Sequence, residues 1–335
     1  MKTFIIAEAG VNHNGSLELA KRLVDAASDA KCDAVKFQTF KADKLVSVNA
    51  EKAEYQKETT GSDESQLDMI RKLELSEEDH YVLKKYCEEK GILFLSSAFD
   101  EESLTFLESM DMPLYKIPSG EITNLKLLRQ IGSYHKRVIM SCGMCEMDEI
   151  HKAYDTLMES GATEVAILHC NTQYPTPFED VNLNVMKTLS DEFHTSIGYS
   201  DHTVGIEVPI AAVALGAEII EKHFTLDKNM EGPDHRASLN PEELKAMVDG
   251  IRHIEKALGS YEKKVSDSER ANRDIARKSL VAACSIKKGE TFTEANLTMK
   301  RPGNGISSSK YEDMLGKKAK HDYEVDALLC LDELD

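Results

Sequence analysis

Gly-Tyr-Ser-Asp-His-Thr at 198–203, with Glu-Lys-His-Phe-Thr at 221–225 and Gly-Pro-Asp-His at 232–235, is the stretch on which the fold turns. Thr195 to His202 reads as a strand with a polar tip, and Glu218 to Phe224 as a second one. Between them Gly205 to Gly216 is rich in Ala, Val, Ile and Leu, which suits a packed crossover helix. Neighbouring strands of a βαβ unit lie parallel and roughly 5 Å apart, so His202 and His223 reach the same rim. Side chains alternate along a strand, which puts Ser200 with His202 and Glu221 with His223. Two imidazoles on one rim with carboxylates nearby can hold a divalent cation. A lone His at a strand end is ordinarily a hydrogen-bonded structural residue, and spacing does not choose between the readings.

The same rhythm extends outward in both directions. Thr3 to Ala9 reads as a first strand, followed by a helix capped by Ser16 that runs to about Lys31. Ala34 to Gln38 is a second strand, with Lys36 and Gln38 on one face and Val35 and Phe37 on the other. Residues 39–75 interrupt the rhythm with a long charged stretch, expected to be a functional loop or lid. Ser76 with Asp79 has the pattern of a capping box that opens the next helix. Strands follow at Ile92–Ser97, Leu114–Pro118, Arg137–Cys142 and Val165–Cys170, each with a helix after it. The helix Pro241 to Leu258, with Pro at its start, completes the series. Eight strands alternating with eight helices predict a (β/α)8 TIM barrel over 1–259. The absence of a Gly-rich dinucleotide fingerprint argues against a doubly wound open sheet. Residues 260–277 read as a polar linker. Residues 278–335 read as a separate small unit with short strands and the turn Arg-Pro-Gly-Asn-Gly at 301–305. A unit of that size without a large core is expected to be marginal alone.

Composition narrows the function. Lys plus Arg is 41 against 59 Asp plus Glu, a net charge of −18, which argues against nucleic acid or an anionic membrane as partner. Seven Cys include one Cys-x-x-Cys (142 and 145) with nothing to complete a zinc cage, so reduced thiols are expected. No signal peptide pattern and no apolar run of about 18 residues is present, pointing to a cytoplasmic protein. Active sites of barrels lie at the C-terminal ends of the strands. Those ends carry Glu8, Lys36, Gln38, Ser97, Lys116, Ser119, Glu121, Ser141, His169, Tyr174, Ser200, His202 and His223. Cations and hydroxyls gathered within an acidic chain suit a small phosphorylated or carboxylated substrate.

Many of these segments together resemble a known family. They are Ile-Ala-Glu-Ala-Gly-Val-Asn-His-Asn-Gly (6–15), Val-Lys-Phe-Gln (35–38), Tyr-Lys-Ile-Pro-Ser-Gly-Glu (115–121), Leu-His-Cys (168–170) and Tyr-Pro-Thr-Pro (174–177). With the opening stretch and Arg-Pro-Gly-Asn-Gly, they are similar, over essentially the whole chain, to the bacterial sialic acid synthases, the N-acetylneuraminate synthase family. The tail resembles that family's antifreeze-like (SAF) domain. The resemblance implies condensation of phosphoenolpyruvate with N-acetylmannosamine and water, giving N-acetylneuraminate and phosphate. It also implies a domain-swapped homodimer and a divalent metal, Mn²⁺ before Mg²⁺ or Co²⁺, on His202 and His223.

By the same resemblance, Lys36, Ser97, Lys116, Ser119, Ser141, Asn171 and Ser200 surround phosphoenolpyruvate. Gln38, Tyr174 and Asp234 bind the sugar, and Arg301 of the partner's small domain binds its N-acetyl group. Glu121 is the candidate for proton transfer or placing the water, and Glu8 for the metal-bound water or the sugar side. Ser-Ala-Phe at 97–99 and Ser-Cys-Gly-Met at 141–144 depart from the family's Thr-Pro-Phe and Ser-Thr-Gly-Met, so Cys142 lacks a hydroxyl. Within the family the alternative is a legionaminate synthase acting on 2,4-diacetamido-2,4,6-trideoxymannose. Gly-Pro-Asp-His is not the pattern expected of pseudaminate synthases. Outside the family stand another metal-dependent barrel enzyme and a non-catalytic sugar-binding protein.

Overall fold

The computed structural model describes residues 2–47, 49–52 and 64–335. The chain divides into two compact units, Met1–Gly259 and Ser260–Asp335.

In the first unit eight parallel strands make one sheet in the order β3-β2-β1-β8-β7-β6-β5-β4. They are β1 (Phe4–Gly10), β2 (Ala34–Thr39), β3 (Leu93–Ala98), β4 (Leu114–Ile117), β5 (Arg137–Ser141), β6 (Glu164–Cys170), β7 (Ile197–Asp201) and β8 (Ile219–His223). The first and last strands of the series pair in register from Phe4 with Ile219 to Glu8 with His223, which curls the sheet into a barrel. No ladder joins β3 to β4, so the barrel is nearly closed.

Local sequence explains the helices between the strands. Ser16 Oγ accepts from the Leu19 amide and starts the helix Leu17–Asp29, which buries Ala20, Leu23, Val24 and Ala27. The Ser76–Asp79 capping box forms, and the helix it opens, Glu77–Lys90, stops at Gly91 in the left-handed region (φ 69°). Pro241 begins the helix Pro241–Leu258 behind a second capping box, Asn240 with Glu243. Apolar faces of these helices and the outward faces of the strands form one continuous core. The 39–75 stretch contains the short helices Ala42–Leu45 and Gln66–Arg71. Its residues 48 and 53–63 lie outside the described residues, and the lid expectation rests partly on them.

In the second unit, β9 (Ser279–Ala282) and β10 (Leu297–Lys300) pair antiparallel. Leu280, Ile286, Phe292, Leu297, Met314 and Tyr323 belong to an apolar core of the unit's own. The stretch read as a linker holds a ten-residue helix, Asp267–Ala276, with a Ser266–Glu269 capping box and no buried residue. Its wholly solvated surface is the reason composition alone reads it as linker. Among the described residues no helix is long and apolar enough to cross a membrane.

Candidate active site

The C-terminal ends of the strands open into a cavity of about 370 Å³. Alternation along β2 sends Lys36 and Gln38 into it, and Lys116 of β4, Ser141 of β5, Ser200 of β7 and His223 of β8 arrive in the same way. Glu8 of β1, Ser119, Tyr174, His202 and Asp234 complete the expected residues that line it.

Its floor is a buried lattice of charge. Lys36 Nζ lies 2.7 Å from Glu8 Oε2 and 3.7 Å from Glu221 Oε2. Lys116 Nζ lies 3.4 Å from Glu221 Oε1 and donates to Ser141 Oγ at 2.8 Å. Ser200 Oγ donates to Glu221 Oε1 at 3.0 Å. Burial pushes the Glu8 carboxyl up to about 7, although the Lys36 ammonium pulls the other way. Burial also opposes ionisation of Glu221, but Lys116 and Lys36 outweigh it and hold this carboxylate below its usual range. Lys36 is raised, because Glu221 and Glu8 overcome its burial, while burial lowers Lys116. Two ammonium groups and several hydroxyls at this depth form a ready cradle for an oxyanion.

One wall is aromatic and imidazole. The Tyr174 ring stacks on His202 with centroids 4.1 Å apart, and the His202 and His223 centroids are 5.4 Å apart. His202 Nδ1 is 2.5 Å from the Asn171 carbonyl oxygen, which makes it the donor and leaves the Nε2 lone pair facing the Tyr174 hydroxyl at 2.9 Å. His223 Nδ1 is buried without a hydrogen-bond partner among the described residues. Burial holds both rings below the usual histidine range, so both are neutral. A backbone carbonyl fixing one nitrogen, as Asn171 does for His202, is the usual preparation of a metal-binding imidazole, and the unpartnered His223 Nδ1 is a second buried nitrogen beside it. The donor set therefore fits a divalent cation that keeps open positions. Among the described residues the one three-ligand cluster is elsewhere, at exposed His321, Cys330 and Asp332 of the second unit.

Several expected residues stand apart from the cavity wall. Ser97 is buried beneath it and meets Lys36 Nζ at 3.4 Å. Asn171 turns its side chain to the Gln173 amide and the Asp180 carbonyl, and Thr172 lines the cavity instead. Glu121 ends the short turn Ser119–Glu121, where its carboxylate accepts from Asn124 Nδ2 at 2.9 Å. His169 points outward to the Val181 carbonyl. Cys142 donates its thiol to Leu168 O, so the missing hydroxyl removes no cavity contact. Arg301 is exposed in the second unit. Glu221, placed by the sequence beside His223 but not among the residues that bind substrate, is the carboxylate that both lysines share. Its signal was the spacing of Glu221 and His223, two apart on one strand.

The profile of the NeuB family matches residues 23–263. The chain belongs to this family. The SAF domain profile matches 277–334. The chain is 54% identical to the N,N'-diacetyllegionaminic acid synthase of Campylobacter jejuni subsp. jejuni serotype O:2, covering 98% of this chain and 99% of that one. It is 47% identical to the N,N'-diacetyllegionaminic acid synthase of Legionella pneumophila subsp. pneumophila, over 100% and 95%. Among solved structures it is similar to the N-acetylneuraminic acid (sialic acid) synthetase of Leptospira borgpetersenii serovar Hardjo-bovis in complex with citrate. That likeness has a TM-score of 0.71 and 35% identity, covering 81% of this chain and 90% of that one.

Proposed function

We propose that this member of the NeuB family is a nonulosonate synthase that joins phosphoenolpyruvate, 2,4-diacetamido-2,4,6-trideoxymannose and water to give N,N'-diacetyllegionaminate and phosphate. The observation that carries the choice of acceptor is the 54% identity, end to end, with a synthase of that product. N-acetylmannosamine, the first acceptor inferred from the sequence, becomes the second: its support is the more distant 35% likeness to a sialic acid synthetase.

The side chains of the cavity suit each stage. Lys36 and Lys116 with Ser119, Ser141 and Ser200 hold the phosphate and carboxylate oxygens of phosphoenolpyruvate. Carbon 3 of phosphoenolpyruvate bonds to the acceptor's aldehyde carbon, whose oxygen takes a proton. Water adds its hydroxyl to carbon 2 and releases a proton, and the resulting tetrahedral centre expels phosphate to leave the 2-keto acid. Glu8, near neutral in affinity for its proton, can take or return one on this side. Gln38, Tyr174 and Asp234 face the acceptor. A divalent cation held by His202 and His223, Mn²⁺ before Mg²⁺ or Co²⁺, supplies Lewis-acid polarisation of the aldehyde when bound. A homodimer in which a partner's Arg301 reaches the acceptor's acetamido group belongs to the same proposal.

The test is phosphate release from phosphoenolpyruvate with Mn²⁺, for each sugar, with a chelated control. Metal-dependent release that is faster with the diacetamido sugar is expected. Faster release with N-acetylmannosamine restores the sialate assignment, and release with neither removes the function.

A further inference from the structure

The cavity has a second face with a different chemistry. Val11, Phe40, Leu45, Ile70, Leu73 and Phe99 all line it. They form an apolar cluster separate from the barrel core: Val11, Phe40 and Leu73 are buried, and Leu45, Ile70 and Phe99 pack on them half-covered. Phe40 and Phe99 meet edge to face, centroids 6.3 Å apart, which stiffens the wall. These residues come from the loops after β1, β2 and β3. The cluster borders a cavity whose floor is ionic. An apolar wall with no side-chain polar atoms in it is suited to contact with hydrocarbon.

We infer that this wall is the specificity surface for the distal end of the acceptor, and that it selects a methyl at carbon 6 over a hydroxymethyl. The inference rests on the proposed function. An open-chain aldose that reacts at carbon 1 over the charged floor directs its carbons 4 to 6 outward, along whatever lines the mouth. A 6-deoxy sugar ends in a methyl, which the wall takes out of water. A 6-hydroxyl in the same place loses its water and meets no side-chain donor or acceptor on these six residues. Apolar pockets separate ligands that differ by one such group by roughly 10–200-fold in kcat/KM.

The experiment compares 2,4-diacetamido-2,4,6-trideoxymannose with the same sugar bearing a 6-hydroxyl, using the full chain with Mn²⁺ and phosphoenolpyruvate. Parent protein, Val11→Thr and Ile70→Asn are assayed. Val11→Thr keeps the side-chain shape and exchanges one methyl for a hydroxyl, so it serves even where Ile70→Asn fails to fold. The parent is expected to favour the deoxy sugar by roughly 10–200-fold, and each folded variant to narrow that ratio several-fold with the KM for phosphoenolpyruvate unchanged. Equal use of both sugars by the parent overturns the inference and leaves the synthase function standing. So does an unchanged ratio in the variants. No turnover of either sugar by the parent removes the proposed function itself, and the inference with it.

Discussion

Replacing Glu221 by Gln removes the negative charge that two buried lysines share, with almost no change of shape. The carboxylate is 3.7 Å from the Lys36 ammonium and 3.4 Å from that of Lys116. At an effective dielectric of about 20, a pair at these separations attracts by about 5 kcal/mol. Desolvation offsets much of this, and removal of one partner from a buried pair generally destabilises by about 3–5 kcal/mol because the other charge is stranded. Ser200 can still donate to the amide oxygen, so the loss is chiefly electrostatic. Glu8 still faces Lys36 at 2.7 Å, which leaves Lys116 as the stranded group. Glu221→Gln is therefore expected to lower the unfolding free energy by about 3–5 kcal/mol in anion-free buffer. Inorganic phosphate, which restores a countercharge, should return more of that stability to the variant than it adds to the parent. The chain has no Trp, so urea unfolding followed by far-UV circular dichroism is the suitable assay. A variant as stable as the parent without phosphate, or an equal phosphate increment in both, would refute the electrostatic account of the floor.

His202→Ala and His223→Ala should each abolish Mn²⁺-dependent phosphate release and weaken Mn²⁺ binding measured by calorimetry; near-parental rates in metal-buffered assays exclude them as ligands. Arg301→Ala should raise the KM for the acceptor by more than it raises that for phosphoenolpyruvate, and equal effects on both would detach it from the sugar. Burial holds the His13 imidazole down to about 3, so the folded protein leaves it neutral while the unfolded chain protonates it below about pH 6.5. Its contribution to stability is thus complete above pH 6.5 and lost as pH falls toward 3, at about 1.4 kcal/mol per pH unit. Glu8 acts in the opposite sense between about 4.5 and 7, since its raised affinity makes the folded state the better proton binder there. The difference between parent and His13→Gln isolates the histidine term, and a pH-independent difference would count against it.

Features that depend on near neighbours were readable from sequence. The Ser76–Asp79 box, the Pro241 start and the alternation of Lys36 and Gln38 along β2 all follow from residues within one turn or one strand. Glu221 could be placed beside His223, but its importance depends on lysines from β2 and β4, which only closure of the barrel brings together. Asn171 and Thr172 are adjacent, and a turn that commits the Asn171 side chain to the Gln173 amide decides which one reaches the cavity. Glu121 was read from the end of β4 as well as from the resemblance, and its carboxylate accepts from Asn124. The helix Asp267–Ala276 was missed because its residues are strongly polar and none is buried, so composition reads it as linker. The apolar wall draws Val11, Phe40 and Phe99 from the loops after three different strands, and no linear pattern joins them.

The missing ladder between β3 and β4 gives the barrel an edge. Every other strand of the sheet is held by two neighbours, whereas these two are held by one each. Their seam-facing amides lack the protection of a strand partner, so they should exchange hydrogen for deuterium ahead of those in β1 and β8, whose ladder is the opposite weld. The helix Glu101–Ser109 spans this seam within the chain. Ser97 and Lys116 lie on the two strands that flank it. Slow breathing at the seam would therefore shift Lys116 on the cavity floor, and Ser97 beneath it, while leaving the imidazole wall on β7 and β8 undisturbed.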